Sequence, residues 1–311
     1  MQFADYKHRF PFKIGMEGAG VVTAIGSSVT QFKVGDEVYG LQFDHPALPF
    51  KPVGFCSEYA VTSERFLLIK PPHLSFTEAA SLPGSAITGY QCIKLALALL
   101  NEPEGSFRGK SVLVPGALSS TGSVGVQLLK NVFDASEVVA TVSTEKVPLV
   151  EERLPGIVDR IIDYKTQDVA KEVGRGTVDF VYNTQWSLTS TFPLANPKTG
   201  VISTIAGVPT SDLLRKAIGA NYLPFWAGWL ADLVNQYYQC RLRGTDVKLR
   251  FVSGNPGARE DLEAVGEMIA RKKIRPVLTE VDLSDLGAVR DACEKVATGR
   301  GGVGKLVIKI V

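Results

Sequence analysis

The alternation of apolar and polar positions divides the chain into two regimes. As far as Pro83 it is glycine-rich and strand-like. Glu17–Gly26 reads as a strand between turns, and Val34–Gly40 as a tight turn entering a second strand. Cys56–Thr62 and Phe66–Lys70 complete a small β unit that Pro71 and Pro72 close. Beyond Pro83 the period changes. Thr88–Leu100 is apolar on most faces and predicts a buried helix. Five short runs then alternate with helical segments: Ser111–Val114, Val138–Val142, Arg160–Asp163, Val178–Tyr182 and Val201–Ala206. The clearest of those helices is Gly122–Phe133, with Val124, Leu128 and Leu129 at core spacing. Near-continuous Val/Ile runs separated by helices predict a parallel sheet buried on both faces, hence an α/β, doubly wound architecture. After Phe251 the order becomes helix (Arg259–Lys272), strand (Pro276–Val281), helix (Asp285–Thr298) and strand (Lys305–Ile310). This tail is expected to return to the first region.

Composition narrows the functional classes. The chain has 311 residues, 45% of them apolar and 21% charged, enough for a sizeable core and two domains. The formal net charge is +2 and no basic block stands out; the densest stretches, Arg241–Arg250 and Arg271–Arg275, read as helix ends and solvated faces. The electrostatic footprint of a nucleic-acid binder is therefore absent. Four scattered cysteines without CxxC spacing fit reduced thiols, and the start of the chain carries no apolar leader, so a cytoplasmic location is expected. Ala217–Tyr237 is apolar but contains Pro224 and Asp232, which argues against an integral membrane segment.

The candidate chemistry lies in the turn after Ser111–Val114, where Pro115-Gly-Ala-Leu-Ser-Ser-Thr-Gly-Ser-Val-Gly125 leads straight into a helix. There a Rossmann fold offers backbone amides and a helix N-terminus to a pyrophosphate. Gly122 permits close approach of the phosphate and Gly125 close packing of helix on sheet, with Ser120, Thr121, Ser123 and Val124 completing the contact segment. Ser120 stands where the first glycine of G-x-G-x-x-G belongs, so an ordinary β–α turn, with the hydroxyls of Ser119, Ser120 and Thr121 merely capping the helix, remains the alternative. Its place as the first turn of five β–α units favours a dinucleotide. The end of the second strand bears on which one. Val142 and Ser143 occupy the position where NAD enzymes carry an acid for the ribose hydroxyl, and Ser143, Thr144 and Lys146 are suited to a 2′-phosphate. Glu145 argues mildly the other way. The expected cofactor is NADPH.

Further motifs carry a resemblance along nearly the whole chain. Gly15-Met-Glu-Gly-Ala-Gly20, then Val34-Gly-Asp-Glu-Val-Tyr-Gly40, resembles the G-x-E-x-x-G … V-G-D-x-V signature of medium-chain dehydrogenases/reductases. Glu78–Tyr90 is similar to the segment that enters their cofactor domain, and Gly302–Lys309 to their closing strand. The nearest look is to the quinone-oxidoreductase and enoyl-reductase branch, in its fungal-type members. The resemblance implies a Rossmann domain (87–251) inserted in a partly truncated GroES-like, β-rich catalytic domain made of 1–86 plus 252–311. It also implies Thr88 beside the nicotinamide or its ribose, Tyr164 toward the adenine-side phosphate, and Ile205, Ala206 and Gly207 toward the nicotinamide end. Asn183 belongs to the cofactor-binding set, although Asn183-Thr-Gln departs from the family's Asp-x-x-Gly.

Zinc-dependent relatives carry a His where this chain has Met16 and a Cys where it has Gly84, and a thioether does not replace an imidazole at such a site. His8, His45 and His73 are isolated. No metal is expected. The implied function is then an NADPH-dependent reductase delivering hydride to an α,β-unsaturated ketone, aldehyde or thioester, or to a quinone, on a small hydrophobic substrate. The alternative is an NADPH-binding protein without redox turnover. Family members lay down further strands before the position of Gly15, where many keep an active-site Asn or Tyr. Tyr6 is the nearest candidate proton donor, and the plainer reading of it, an aromatic packed at a strand edge, is preferred. Ala217–Tyr238 is rich in aromatics. Trp226, Trp229 and Leu233 share one helical face, read first as core plus pocket wall, second as a homodimer contact and third as a peripheral membrane contact.

Overall fold

The computed structural model describes residues 13–42, 54–102, 104–299 and 302–310. The N-terminal region forms an antiparallel sheet of β1 (Glu17–Val21), β2 (Glu37–Leu41) and β3 (Leu67–Ile69), in that order. In β2 the side chains of Tyr39 and Leu41 go into the core. Two helices follow, α1 (Phe76–Ala80) and α2 (Pro83–Leu100). A reciprocal capping box starts α1: the Ser75 hydroxyl accepts from the Glu78 amide while the Glu78 carboxylate accepts from the Ser75 amide. Pro83 opens α2, where its missing N–H costs nothing.

The second region is a six-stranded parallel sheet. Its elements run β4 (Ser111–Pro115), α3 (Ser120–Asn131), β5 (Glu137–Val142), α4 (Val147–Arg153), β6 (Arg160–Asp163), α5 (Val169–Val173), β7 (Phe180–Asn183), α6 (Leu188–Thr191), β8 (Val201–Thr204), α7 (Ser211–Ile218), α8 (Phe225–Arg241) and β9 (Lys248–Phe251). The strand order is β6-β5-β4-β7-β8-β9 with every neighbour parallel, a Rossmann-like arrangement whose order reverses between β4 and β7. Alternate residues of each strand enter different cores. Val112, Val114, Val138, Ala140, Phe180 and Tyr182 pack under α2 and α3, while Leu113, Val139, Val181 and Ile202 pack on the other face with Leu188, Phe192, Tyr238 and Leu242. Both faces are thus covered, which is why the strands read as continuous apolar runs.

The tail supplies α9 (Arg259–Ala270), β10 (Leu278–Asp282), α10 (Leu286–Ala297) and β11 (Lys305–Lys309), with β10 and β11 paired in parallel. It lies against the first region. The Arg259 guanidinium donates to the carbonyls of Glu64, Arg65 and Leu67 at 3.3, 3.0 and 2.8 Å, and Lys305 pairs with Glu17. None of the described helices is long and apolar enough to cross a membrane.

Three expectations are corrected. Residues 56–59 form bends and 60–62 continue as irregular chain instead of a strand: the Cys56 amide reaches the Ile14 carbonyl, but the Ser57 amide and hydroxyl turn inward to Phe55 and Tyr59, so no ladder develops. Part of the basic stretch 241–250 belongs to β9, an edge strand in which Leu249 is buried and Arg250 exposed. The shared face of Trp226, Trp229 and Leu233 is not core; the three are 65, 61 and 51% exposed. The helix turns the small side of Gly228 and Ala231 inward, with Asn235 and Tyr238, because its neighbour α7 lies too close for larger groups. A Cβ on Gly228 would stand 3.3 Å from Ser211 Cβ.

Candidate functional site

The turn from β4 into α3 sits at the point where the sheet order reverses. Ser119 caps α3: its hydroxyl accepts the Gly122 amide at 3.0 Å, and its own amide donates to the Gly116 carbonyl at 2.8 Å. The Ser123 amide donates to the Ser119 carbonyl. Among the described residues the amides of Ser120 and Thr121 have no acceptor, as expected for the first positions of a helix, and they present the positive end of its dipole. Thr184, just after β7, braces the turn by donating to the Pro115 carbonyl at 2.6 Å while lying 3.1 Å from the Ser119 hydroxyl. The glycines are required by contact. A Cβ on Gly122 would lie 2.2 Å from the Gly116 carbonyl oxygen, and one on Gly125 would lie 2.5 Å from the Tyr182 ring.

A cleft of about 290 Å³ opens over this helix end, walled among others by Met16, Glu17, Thr88, Ser120, Thr121 and Lys305. Its charged lining residues are Glu17 and Lys305, which form an ion pair; the second oxygen of Glu17 accepts the Gly84 amide at 2.7 Å. The tail is locked to the turn beside this pair. The Gly304 amide donates to the Leu118 carbonyl at 2.8 Å, and Ser119 and Gly304 form a parallel bridge. The Lys305 ammonium thus shares one cleft with the α3 N-terminus. Reading the sequence alone missed both partners. Their signal was a single charge inside an otherwise glycine-rich or apolar motif, with a separation of 288 residues hiding the pairing.

Thr88, Ser120 and Thr121 meet in the cleft. The remaining expected cofactor residues lie at the carboxyl ends of neighbouring strands: Ser143, Thr144 and Lys146 after β5, Tyr164 after β6, Asn183 at the end of β7, and Ile205, Ala206 and Gly207 after β8. Several of these side chains are already engaged. Ser120 shares a 2.6 Å hydrogen bond with Ser85, Ser123 folds back onto the Ser120 carbonyl, and Val124 is buried. Asn183 is fully buried and staples β7 to β8, its amide donating to the Gln185 carbonyl, the Thr204 hydroxyl and the Ala206 carbonyl. Tyr164 is half exposed, with the Lys165 ammonium 5.5 Å from its ring centre. Tyr6 lies outside the described residues.

At the end of β5 an acid appears that the chain order did not reveal. Asp163 ends β6, in register with Val142. Its carboxylate accepts from the Thr144 hydroxyl at 2.7 Å, the Thr166 hydroxyl at 2.9 Å and the Lys165 amide at 2.9 Å. These bonds, that from Thr144 foremost, hold Asp163 below the usual carboxylate range. Lys146 donates to the Gly302 carbonyl at 2.9 Å, and partial burial pulls its ammonium below its ordinary value.

The two positions that distinguish zinc enzymes face this same cleft. Met16 is 57% exposed, and a side chain at Gly84 would begin 2.9 Å from the Glu17 carboxylate. Among the described residues no group of three His, Cys, Asp or Glu is placed to hold a metal ion.

Comparison with known proteins bears on the fold and the family. Residues 1–72 match the family described as alcohol dehydrogenase GroES-like domain, and residues 158–308 match the family described as zinc-binding dehydrogenase. The chain is 38% identical to an NADPH-dependent alkenal/one oxidoreductase of Arabidopsis thaliana over 50% of its length, but that stretch spans only 37% of the relative. It is 29% identical to the NAD(P)H oxidoreductase RTN4IP1 of Bos taurus across 97% of its length and 71% of the relative. The quinone oxidoreductase of Coxiella burnetii shares the fold, with a TM-score of 0.68 at 23% identity over 97% of this chain and 81% of that one. With a GroES-like region, a Rossmann-like sheet in the order 3-2-1-4-5-6 and both family matches in their places, the chain belongs to the medium-chain dehydrogenase/reductase superfamily.

Proposed function

We propose that the chain binds NADPH along the carboxyl ends of its parallel sheet and reduces an α,β-unsaturated carbonyl compound or a quinone on a hydrophobic substrate. The observation that carries this reading is the open N-terminus of α3 at the reversal of strand order, facing one cleft together with Lys305 and Thr88. Two unengaged amides and a fixed ammonium suit a pyrophosphate, so the residues present fit the dinucleotide. In this arrangement Ser120 and Thr121 hold the phosphates through their amides, and Lys305, oriented by Glu17, supplies the cation. Thr88 lies beside the nicotinamide or its ribose, and the Ile205–Gly207 segment, held by Asn183, bounds that end. Tyr164 stands at the adenine side.

The preference for NADPH rests on Ser143 and Lys146. Of the two carboxylates nearby, Asp163 already takes three hydrogen bonds from its own neighbours and Glu145 is engaged with the Ser143 hydroxyl, so both compete poorly for a ribose hydroxyl. When bound, the nicotinamide supplies the hydride. With Met16 and Gly84 in place of nitrogen and sulfur ligands, the protein has no Lewis acid to lend at those positions. The acceptor then has to be polarised by conjugation, as an enone, enal, enoyl thioester or quinone is. The alkenal/one oxidoreductase among the relatives favours this substrate class. Domain boundaries at 1–86 with 252–311, and at 87–251, belong to the same proposal and are supported by the packing of the tail on β1, β3 and α2.

The test is transfer of deuterium from 4-deuterated NADPH to a panel of hydrophobic enones and quinones. Stereospecific incorporation at the β-carbon of an enone is the expected result. Calorimetric binding of NADPH with no turnover on any acceptor would make the chain a non-redox NADPH binder, and failure to bind NADPH would overturn both readings.

A further inference from the structure

Helix α8 carries an apolar face that nothing among the described residues covers. Advancing 100° per residue, Phe225, Trp229, Leu233, Trp226, Tyr237 and Leu230 fall within one sector of about 140°. They are 83, 61, 51, 65, 49 and 44% exposed. At 150–250 Å² per aromatic side chain, the four rings alone present roughly 500 Å², near the upper end of the largest patch on an ordinary monomer. No charge interrupts the sector. Asp232, the one charged residue between Phe225 and Tyr237, projects off its edge and accepts the Ser211 amide of α7 at 2.8 Å.

Cations lie at the end of α8 and beside it in the chain. Lys216, Arg241 and Arg243 are exposed and form no ion pair among the described residues. The Arg241 guanidinium lies 5.9 Å from the Tyr237 ring centre and donates to its hydroxyl at 2.8 Å, which fixes a cation at the border of the aromatic sector. Across residues 211–246 the cations Arg215, Lys216, Arg241 and Arg243 exceed the acids Asp212, Asp232 and Asp246 by one; Asp212 pairs with Arg215, and Asp232 is turned onto the Ser211 amide. A two-fold contact between copies of this face would bring a cationic excess from each around one apolar contact, and like charges oppose such association.

From this charge pattern we propose that α8 docks on the surface of an anionic lipid bilayer. The helix lies in the interface plane, with Phe225, Trp226 and Trp229 among the upper acyl segments and Lys216, Arg241 and Arg243 at the phosphates. At 17 residues, and with the inward face of Gly228, Ala231, Asn235 and Tyr238 packed on its own protein, α8 lies on the membrane and does not span it. The proposal stands on exposure and charge alone and is independent of the reductase reading.

The tryptophans provide the probe. The chain has three, so Trp186→Phe leaves only Trp226 and Trp229. That variant is mixed with phosphatidylcholine vesicles with and without phosphatidylserine. Expected results are co-sedimentation with the anionic vesicles, a blue-shifted emission and quenching by brominated acyl chains. Replacing Phe225, Trp226 and Trp229 together by Ser should lower vesicle binding at least about tenfold with the thermal transition retained, because all three side chains are mainly in solvent. Replacing Lys216, Arg241 and Arg243 by Gln should remove the preference for phosphatidylserine. The proposal fails if the chain does not sediment with anionic vesicles, or if the Ser variant binds them as well as its parent. If scattering shows instead a dimer that the same substitutions disperse, the face belongs to a second copy.

Discussion

Replacing Gly122 by Ala tests whether the α3 N-terminus holds the cofactor. The new Cβ would start 2.2 Å from the Gly116 carbonyl oxygen and 2.8 Å from the Ser119 hydroxyl oxygen. An ordinary contact needs about 1 Å more, and the nearest atom is backbone, so the turn itself must open. Its movement disturbs the Gly116 carbonyl, which accepts the Ser119 amide, and the Ser119 hydroxyl, which accepts the amide of residue 122. Overpacking of this size costs about 1–3 kcal/mol, and a weakened cap adds about 1 kcal/mol. The larger effect should fall on binding. A shift of about 1 Å in the amides of Ser120 and Thr121 misaligns the donors offered to the pyrophosphate, and a tenfold to hundredfold loss of NADPH affinity is expected, roughly 1.4–2.7 kcal/mol.

The assay is calorimetric titration with NADPH beside urea unfolding. Gly26→Ala is the control, since nothing lies within 4 Å of a Cβ at that position. If Gly122→Ala remains folded and binds NADPH within about twofold of the parent, the phosphates do not sit on this turn. If Gly26→Ala loses as much affinity, the effect has no connection with the turn.

Further expectations follow from the flanking groups. Lys146→Gln should weaken NADPH about tenfold while leaving NADH unchanged, as read by competitive titration; an equal loss for both cofactors would place the 2′-phosphate elsewhere. Lys305→Met leaves the Glu17 carboxylate, whose side chain is 10% exposed, without its cation, and should cost about 1–3 kcal/mol in urea unfolding. Adding Glu17→Gln should recover part of that loss but none of the lost NADPH affinity. Asp163 titrates below its unfolded value, so its contribution to stability is complete above about pH 4 and lost as pH falls through the lower folded value. Asp163→Asn should therefore flatten the acid limb of a plot of unfolding midpoint against pH, and an unchanged limb would show that its bonds from Thr144, Lys165 and Thr166 carry no weight.

The parallel sheet could be read from the chain because burial on both faces forces Val/Ile runs, and β4 to β8 show them. Strand β9 broke that rule. As the last strand of the order it is buried less completely, so Lys248 and Arg250 are tolerated and a strand passes for a solvated basic stretch. In α8 the period was visible but its direction was not. Periodicity gives the angle between Trp226 and Trp229, whereas only the neighbouring helix decides which side must be small enough to approach it, and here α7 selects Gly228 and Ala231. The turn from β4 to α3 was recognisable from its glycines and hydroxyls. What those hydroxyls do was not, because Ser119 caps, Ser120 turns to Ser85 and Ser123 turns back on the helix.

The site is assembled from four segments that no local pattern connects. Gly304 has φ +70°, and a Cβ there would lie 1.9 Å from the Val277 carbonyl oxygen, so glycine alone lets β11 start against β10. That close start places the Gly304 amide on the Leu118 carbonyl, in the loop that leads into α3, and the next residue, Lys305, on Glu17 of β1. Glu17 in turn takes the Gly84 amide at the start of α2, four residues before Thr88. Turn, tail, first strand and linking helix are therefore joined through one glycine and one ion pair. Separation along the chain makes the pair matter: a charge carried by the tail is held at the α3 end of the cleft by a countercharge from β1, and burying Glu17 without that cation would leave a carboxylate poorly compensated. Glu17 of the Gly15–Gly20 motif and Lys305 of the closing strand are, in this chain, the two ends of that single contact.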